Sequence, residues 1–218
     1  MTSNHDGKYA HIRAVILDYG QVLCLRPEPG DIHKMAEAFQ IEPSRFLECY
    51  ASSRGPYDQG LVSAEGYWRT FARSAEVEID EGLIRQLRVW DTEMWSRINA
   101  DMTDWLEKLY RAGLTTALLS NMETDMAIYA RENFAWLDYF HHQIFSCDVG
   151  LIKPDPAIFH ECIRRVGVRA QEALFVDDRQ ENVDAAEANG IMAIRFESVE
   201  QLRRELQKSG FQILPGTD

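Results

Sequence analysis

Three short apolar runs, each stopping at an acid or a hydroxyl, constrain this chain more than any other feature. Residues 14–17 stop at Asp18, residues 115–119 stop at Ser120 and Asn121, and residues 174–176 stop at Asp177 and Asp178. Runs this short, bounded by polar turn formers, read as buried strands. Between them the spacing turns helical. Met102, Trp105, Leu106 and Leu109 share one face of a helix that ends at Gly113, and a second helix starts near Glu123. A short strand is expected around Ile144 and Phe145, then a helix carrying Phe159, Cys162, Ile163 and Val166 that stops at Gly167. Another helix precedes Gly190, and residues 191–194 form a last strand. Strands alternating with helices predict an α/β fold, a doubly wound parallel sheet covered on both faces.

Residues 27–98 break this rhythm. Ile32, Met35, Ala36 and Phe39 fall at helical spacing, as do Tyr67, Trp68 and Phe71, and Leu83, Leu87, Trp90 and Met94. Breaks stand at Pro43, Gly55-Pro56 and Gly60. The block reads as an inserted helical cap, residues 26–98, over a core made of residues 1–25 and 99–218. The aromatic side chains of the block, Trp95 among them, read as filling its own interior.

Composition excludes several classes. Lys and Arg number 23 against 35 Asp and Glu, a net charge of −12, which suits neither nucleic acid nor an anionic membrane surface. Runs such as residues 14–17 fall far short of the ~20 residues of a membrane span. Met1 to Lys8 is polar and shows no leader-peptide core. The four cysteines (Cys24, Cys49, Cys147, Cys162) form no C-x-x-C pair and no zinc spacing, so reduced thiols in a cytoplasmic protein are expected. The number of subunits is not written in the sequence.

In open parallel sheets ligands bind beyond the carboxyl ends of the strands. That is where Asp18, Ser120-Asn121 and Asp177-Asp178 fall, with Lys153-Pro154 in a loop nearby. Two carboxylate groups, a hydroxyl and an ammonium on one rim suit phosphoryl transfer. One carboxylate can attack phosphorus. Another offers a hard oxygen to Mg²⁺. The lysine neutralises phosphoryl oxygens, and serine and backbone amides at a helix start donate to them.

Taken in order, the motifs resemble those of the haloacid dehalogenase superfamily. Leu17-Asp18-Tyr19-Gly20-Gln21-Val22-Leu23 resembles the first motif, Leu118-Leu119-Ser120-Asn121 the second, Lys153-Pro154-Asp155-Pro156 the third, and Phe175-Val176-Asp177-Asp178 with Asn182 the fourth. The resemblance implies a Rossmann-like core with a type-one helical cap and Mg²⁺ as cofactor. It implies Asp18 as nucleophile and metal ligand, the Gly20 carbonyl and Asp178 as further ligands, and Asp177 as their support. Ser120, the Asn121 amide and Lys153 would hold the phosphoryl group of a small phosphorylated substrate.

One position departs from the commonest pattern. Most phosphatases of the family carry a second Asp two residues after the nucleophile as acid and base, and this chain has Gly20. Loss of such a group typically costs about 10²–10⁴ in rate, less when the leaving group needs no proton. A subgroup of sugar-phosphate phosphatases resembles this chain in having glycine there. The expected activity is therefore Mg²⁺-dependent hydrolysis of sugar phosphates through an aspartyl-phosphate on Asp18.

Each site residue also has a plainer reading: Asp18 as a turn cap, Ser120 as the cap of the following helix, Asn182 as helix surface. Residues 54–58 are the candidate substrate-facing loop, with Arg54 meeting the substrate. The rival within the family is a haloacid dehalogenase, which tends to carry Ser-Ser where Asp177-Asp178 stands. The rival from another class is a non-catalytic binding protein, permitted by Gly20. His141-His142 is expected to lie exposed in a loop, and the tail after Gly210 either packs or frays.

Overall fold

A computed structural model describes residues 8–9 and 11–216. The leader reading of the first eight residues therefore falls largely outside the described residues. The order is β1 (Ala14–Leu17), a wide helical turn (Tyr19–Leu23), α1 (Pro29–Ala38), α2 (Pro43–Ser52), α3 (Arg54–Asp58), α4 (Ala64–Ala75), α5 (Glu81–Met94) and α6 (Ala100–Arg111). Then come β2 (Thr115–Ser120), α7 (Thr124–Asn133), β3 (His142–Phe145), α8 (Ser146–Val149), α9 (Pro156–Val166), β4 (Ala173–Asp177), α10 (Gln180–Ala188), β5 (Met192–Arg195) and α11 (Val199–Lys208).

The strands form one parallel sheet in the order β3-β2-β1-β4-β5. The fold is the Rossmann-like α/β class that the alternation predicts. Period-two alternation divides β1 between two cores. Val15 and Leu17 join Leu118, Trp105, Leu106, Leu202 and Leu206 on one face. Ala14 and Ile16 join Leu119, Ile158, Phe159 and Phe175 on the other. Both faces are dry, which is why the strands read as unbroken apolar runs.

Helices α1–α5 enclose a third core around Met35, Phe39, Phe46, Tyr67, Trp68, Phe71 and Leu87. The insert leaves and rejoins the sheet layers at one place. Cys24 bridges Ile98 antiparallel, Leu25 N–H donates to Arg97 O at 2.7 Å, and Asn99 N–H donates to Leu23 O at 2.9 Å.

Several local expectations change. Residues 54–58 are a short helix rather than a loop. His142 opens β3 and pairs with Ala117, followed by Gln143 with Leu118. Asp177 is the last residue of β4 and fully buried, rather than the first residue beyond it. Part of the tail packs: Phe211 is buried and Trp105 Nε1 donates to Ile213 O at 2.8 Å. Thr217 and Asp218 lie outside the described residues. Among the described residues no helix is long and apolar enough to cross a membrane.

Candidate active site

The carboxyl ends of β1, β2 and β4 meet at a buried ion cluster. Asp18 follows β1, and its Oδ1 accepts from the Tyr19 N–H at 2.7 Å and from Lys153 Nζ at 2.7 Å. Lys153 Nζ also donates to Asp177 Oδ2 at 2.7 Å and to Leu119 O at 2.8 Å, so all three of its protons are used. The lysine is held in place through its backbone. Asn121 Oδ1 accepts from the Lys153 N–H at 2.8 Å, and Asn121 Nδ2 donates to Lys153 O at 2.9 Å. The Asn121 side chain is thus a clamp on the lysine loop.

Asp177 is equally occupied. Its Oδ1 accepts from the Arg179 N–H at 2.8 Å, and Asn182 Nδ2 reaches both of its oxygens at 2.9 and 3.0 Å. Asn182 is buried, so the helix-surface reading of that residue fails; it orients Asp177. Its Oδ1 is buried with no hydrogen-bond partner among the described residues. Asp178 stands half-buried at the mouth, and Gln21 Nε2 donates to its Oδ2 at 2.8 Å. Gln21 reaches it from a left-handed backbone, φ 57°. Ser120, at the end of β2, is 1% exposed and lies below the pocket wall. It does not cap the next helix: Glu123 does, accepting from the Met126 N–H at 2.8 Å.

Charge is unbalanced here. Asp18, Asp177 and Asp178 bring carboxylate oxygens within 4.8 Å of one another around a single ammonium. Burial pushes the Asp18 carboxyl up to about 7 against the pull of Lys153, with Asp177 and Asp178 adding to the push. Asp178 is raised by burial and by Asp177. Burial alone would lower Lys153, but Asp177 and Asp18 overcome it and hold the ammonium above its ordinary value. Hard carboxylate oxygens with surplus negative charge and one unpaired amide oxygen are a donor set that fits Mg²⁺. Asp18 and Asp178 offer the free oxygens; those of Asp177 are spent on Lys153, Asn182 and Arg179.

A cavity of about 460 Å³ opens over the cluster. Asp18, Gly20, Gln21, Asn121, Lys153 and Asp178 form one wall, and Tyr50, Arg54, Asp58 and Trp95 of the insert form the other. Arg54 is therefore on the wall, but its guanidinium is already paired with Asp58 at 2.7 Å and Asp91 at 2.7 Å. Sequence reasoning named Asp58 only within the candidate loop and Trp95 only as interior filling, and passed over Asp91 and Glu123 as site residues. Glu123 is buried, accepts from Tyr57 Oη at 3.1 Å, and is pushed up to about 7 by burial. A signal existed for Asp91, an acid inside the apolar stripe of Leu87, Trp90 and Met94. None existed for Glu123.

The family model for haloacid dehalogenase-like hydrolases matches residues 12–190, spanning every residue of this cluster. The chain belongs to that family. This hydrolase is 30% identical to phosphoglycolate phosphatase of Yersinia pseudotuberculosis over 86% of its own length and 82% of that protein's. It is 29% identical to acyl-CoA dehydrogenase family member 10 of Mus musculus over 93% of its own length, but spans only 19% of that relative. Among solved structures, a family enzyme from Bacteroides thetaiotaomicron in complex with magnesium and inorganic phosphate has the same fold. Its TM-score is 0.69 at 22% identity, over 85% of this chain and 94% of that one.

Proposed function

We propose that this hydrolase is a Mg²⁺-dependent phosphatase of small phosphorylated metabolites, working through an aspartyl-phosphate on Asp18. The observation that carries the reading is the buried Asp18–Lys153–Asp177 cluster with Asp178 at its mouth. Phosphatases among the relatives, and magnesium with phosphate in a structural neighbour, support it. Residues 26–98 act as the cap, closing over a core of residues 1–25 and 99–218. The free thiols, three of the four buried, fit a reducing cytoplasm.

Asp18, Asp178 and the Gly20 carbonyl would hold the metal, with Asp177 fixing them through its own partners. Bound Mg²⁺ would supply positive charge to the phosphoryl oxygens. Lys153 and the Tyr19 N–H fix Asp18 Oδ1, leaving Oδ2 for attack. The Oδ2–phosphorus bond forms as the bond to the leaving oxygen breaks, and the Lys153 ammonium offsets negative charge on the phosphoryl group. The Asn121 N–H, on the cavity wall just past β2, would donate to a phosphoryl oxygen, and Ser120 ends the strand beneath it. Water then attacks phosphorus, releasing inorganic phosphate and restoring the carboxylate.

No side chain at position 20 can protonate the leaving oxygen. A leaving oxygen acidic enough to depart unprotonated, as in an anomeric or acyl phosphate, meets this constraint, and sugar phosphates esterified at the anomeric carbon are one class that does. The test is rapid-quench phosphorylation with α-glucose 1-phosphate, glucose 6-phosphate and acetyl phosphate, with and without chelator. Metal-dependent labelling, absent in Asp18→Asn and fastest for the anomeric or acyl phosphate, is expected. Turnover that survives Asp18→Asn refutes the reading.

A further inference from the structure

Beside the catalytic cavity lies a second and larger one, about 1010 Å³. Gln21, Tyr50, Ala51 and Trp95 line both, so the two share a threshold. Beyond that threshold the character changes. Ile32, Leu47 and Met94 face the space with Pro27, Pro29 and Pro43. Leu47 is 48% exposed, a large apolar side chain left to water.

The polar atoms at the threshold are already taken. Trp95 Nε1 donates to Tyr50 Oη at 3.0 Å, and Tyr50 Oη donates to Asp91 Oδ1 at 2.5 Å. What these two residues offer a ligand is carbon surface. Arg26, His33 and Gln21 are the other polar side chains on this lining, too few to satisfy a sugar's ring of hydroxyls, each of which loses its water bonds on entry. Cavities of this size with apolar walls and a few polar groups at one end take amphipathic small molecules.

We propose that the substrate is a phosphate whose acidic leaving oxygen, aryl or acyl, carries an apolar body, its phosphoryl group over Asp18 and its carbon body passing Trp95 and Tyr50 into the second cavity. The proposal rests on the phosphatase reading of the site. It assigns specificity to α1, α2 and the Trp95 end of the insert, with Leu47 and Ile32 as its determinants.

A series that holds leaving-group acidity constant tests it: phenyl, 4-ethylphenyl, 4-butylphenyl and 4-hexylphenyl phosphate, below their micellar concentrations. Burying a methylene is worth about 0.8 kcal/mol, near fourfold per group. In a cavity open to solvent we expect two- to fourfold, so kcat/KM climbs by about 10²–10³ across the series. Leu47→Glu puts a charge in the second cavity and flattens the climb. A flat series, or α-glucose 1-phosphate preferred tenfold over 4-hexylphenyl phosphate, overturns the proposal.

Binding separates this from failure of the phosphatase reading. Titration calorimetry with ethylphosphonate and octylphosphonate needs no turnover. Tighter binding of octylphosphonate, weakened by Leu47→Glu, supports the apolar occupant even if no ester is cleaved, in which case the phosphatase reading alone falls. Equal affinity for the two phosphonates overturns the occupant whatever the kinetics show.

Discussion

Replacing Arg54 by methionine tests what the wall of the catalytic cavity is made of. The guanidinium pairs with Asp58 and Asp91, both at 2.7 Å, and the Asp91 side chain is 2% exposed. It also lies over the rings of Tyr50, Tyr57 and Tyr67 at 4.7, 5.0 and 5.4 Å. Methionine keeps most of the bulk and removes the charge, leaving Asp91 buried with Tyr50 Oη as its remaining donor. Removing one partner of a buried ion pair costs about 3–5 kcal/mol. In a chain of this length that is a fall in Tm of about 6–20 °C. The double variant Arg54→Met/Asp91→Asn removes the stranded charge and should recover more than half of the loss, a coupling that a thermodynamic cycle reads directly. Differential scanning calorimetry gives the stability arm, and steady-state kinetics well below the new Tm give the other. If Tm moves by less than about 3 °C while KM rises tenfold, Arg54 serves the substrate rather than the two acids, and the reasoning is wrong.

Four further outcomes follow from single features. Glu123 gives up its proton near 4.5 when unfolded and near 7 when folded, so its contribution to stability is full below 4.5 and lost as pH rises to 7. In urea titrations Glu123→Gln should flatten the wild-type decline between pH 5 and 7 by up to about 3 kcal/mol, and parallel profiles would refute this. MgCl₂ at a hundredfold excess over its Kd should stabilise the fold by about 2.7 kcal/mol, an effect visible as a rise in Tm that Asp178→Ala abolishes. At Gly60, φ is 74° and an added Cβ would lie 2.7 Å from the Cys147 carbonyl oxygen, so Gly60→Ala should cost at least about 2 kcal/mol on chemical denaturation. Gly20 has φ −60°, and a Cβ there would meet only Asp18 Oδ2 at 3.8 Å. Gly20→Asp should therefore fold normally and speed hydrolysis of poor leaving groups about 10²-fold or more; equal rates with and without the acid would show that proton transfer is not limiting.

The sheet was legible because its strands are covered on both faces and read as apolar runs, with ends shifted by about a residue, as Asp177 inside β4 shows. Asp18 and Asp177 could be read because a charge at the end of a dry strand has to be answered by another, and Lys153 because it stands in a loop beside them. What could not be read is long-range. Nothing local ties Arg54 to Asp91, or Tyr57 to Glu123, because helices α3 and α5 meet α7 only in three dimensions. Trp95 carries the composition of a core residue and lines a cavity instead. The second cavity is bounded by residues of α1, α2 and the end of α5, and no periodicity encodes a space. Ser120 was found, but its depth below the wall depends on strand register rather than residue type.

The position of β1 at the centre of the sheet bears on how the chain is made. Of the five strands it is the first to be synthesised, yet Ala14 pairs with Thr115 and Ala173. At about 5–20 residues per second, the first partner arrives roughly 5–20 s after β1. During that wait the insert's own core, drawn from residues 32–95, can begin to form before the sheet closes. An apolar strand with both edges bare meanwhile needs shelter from other nascent chains. Slower synthesis over residues 99–120 should lengthen the interval and lower the soluble yield. Destabilising substitutions inside the insert should alter its own folding far more than the moment at which the sheet closes.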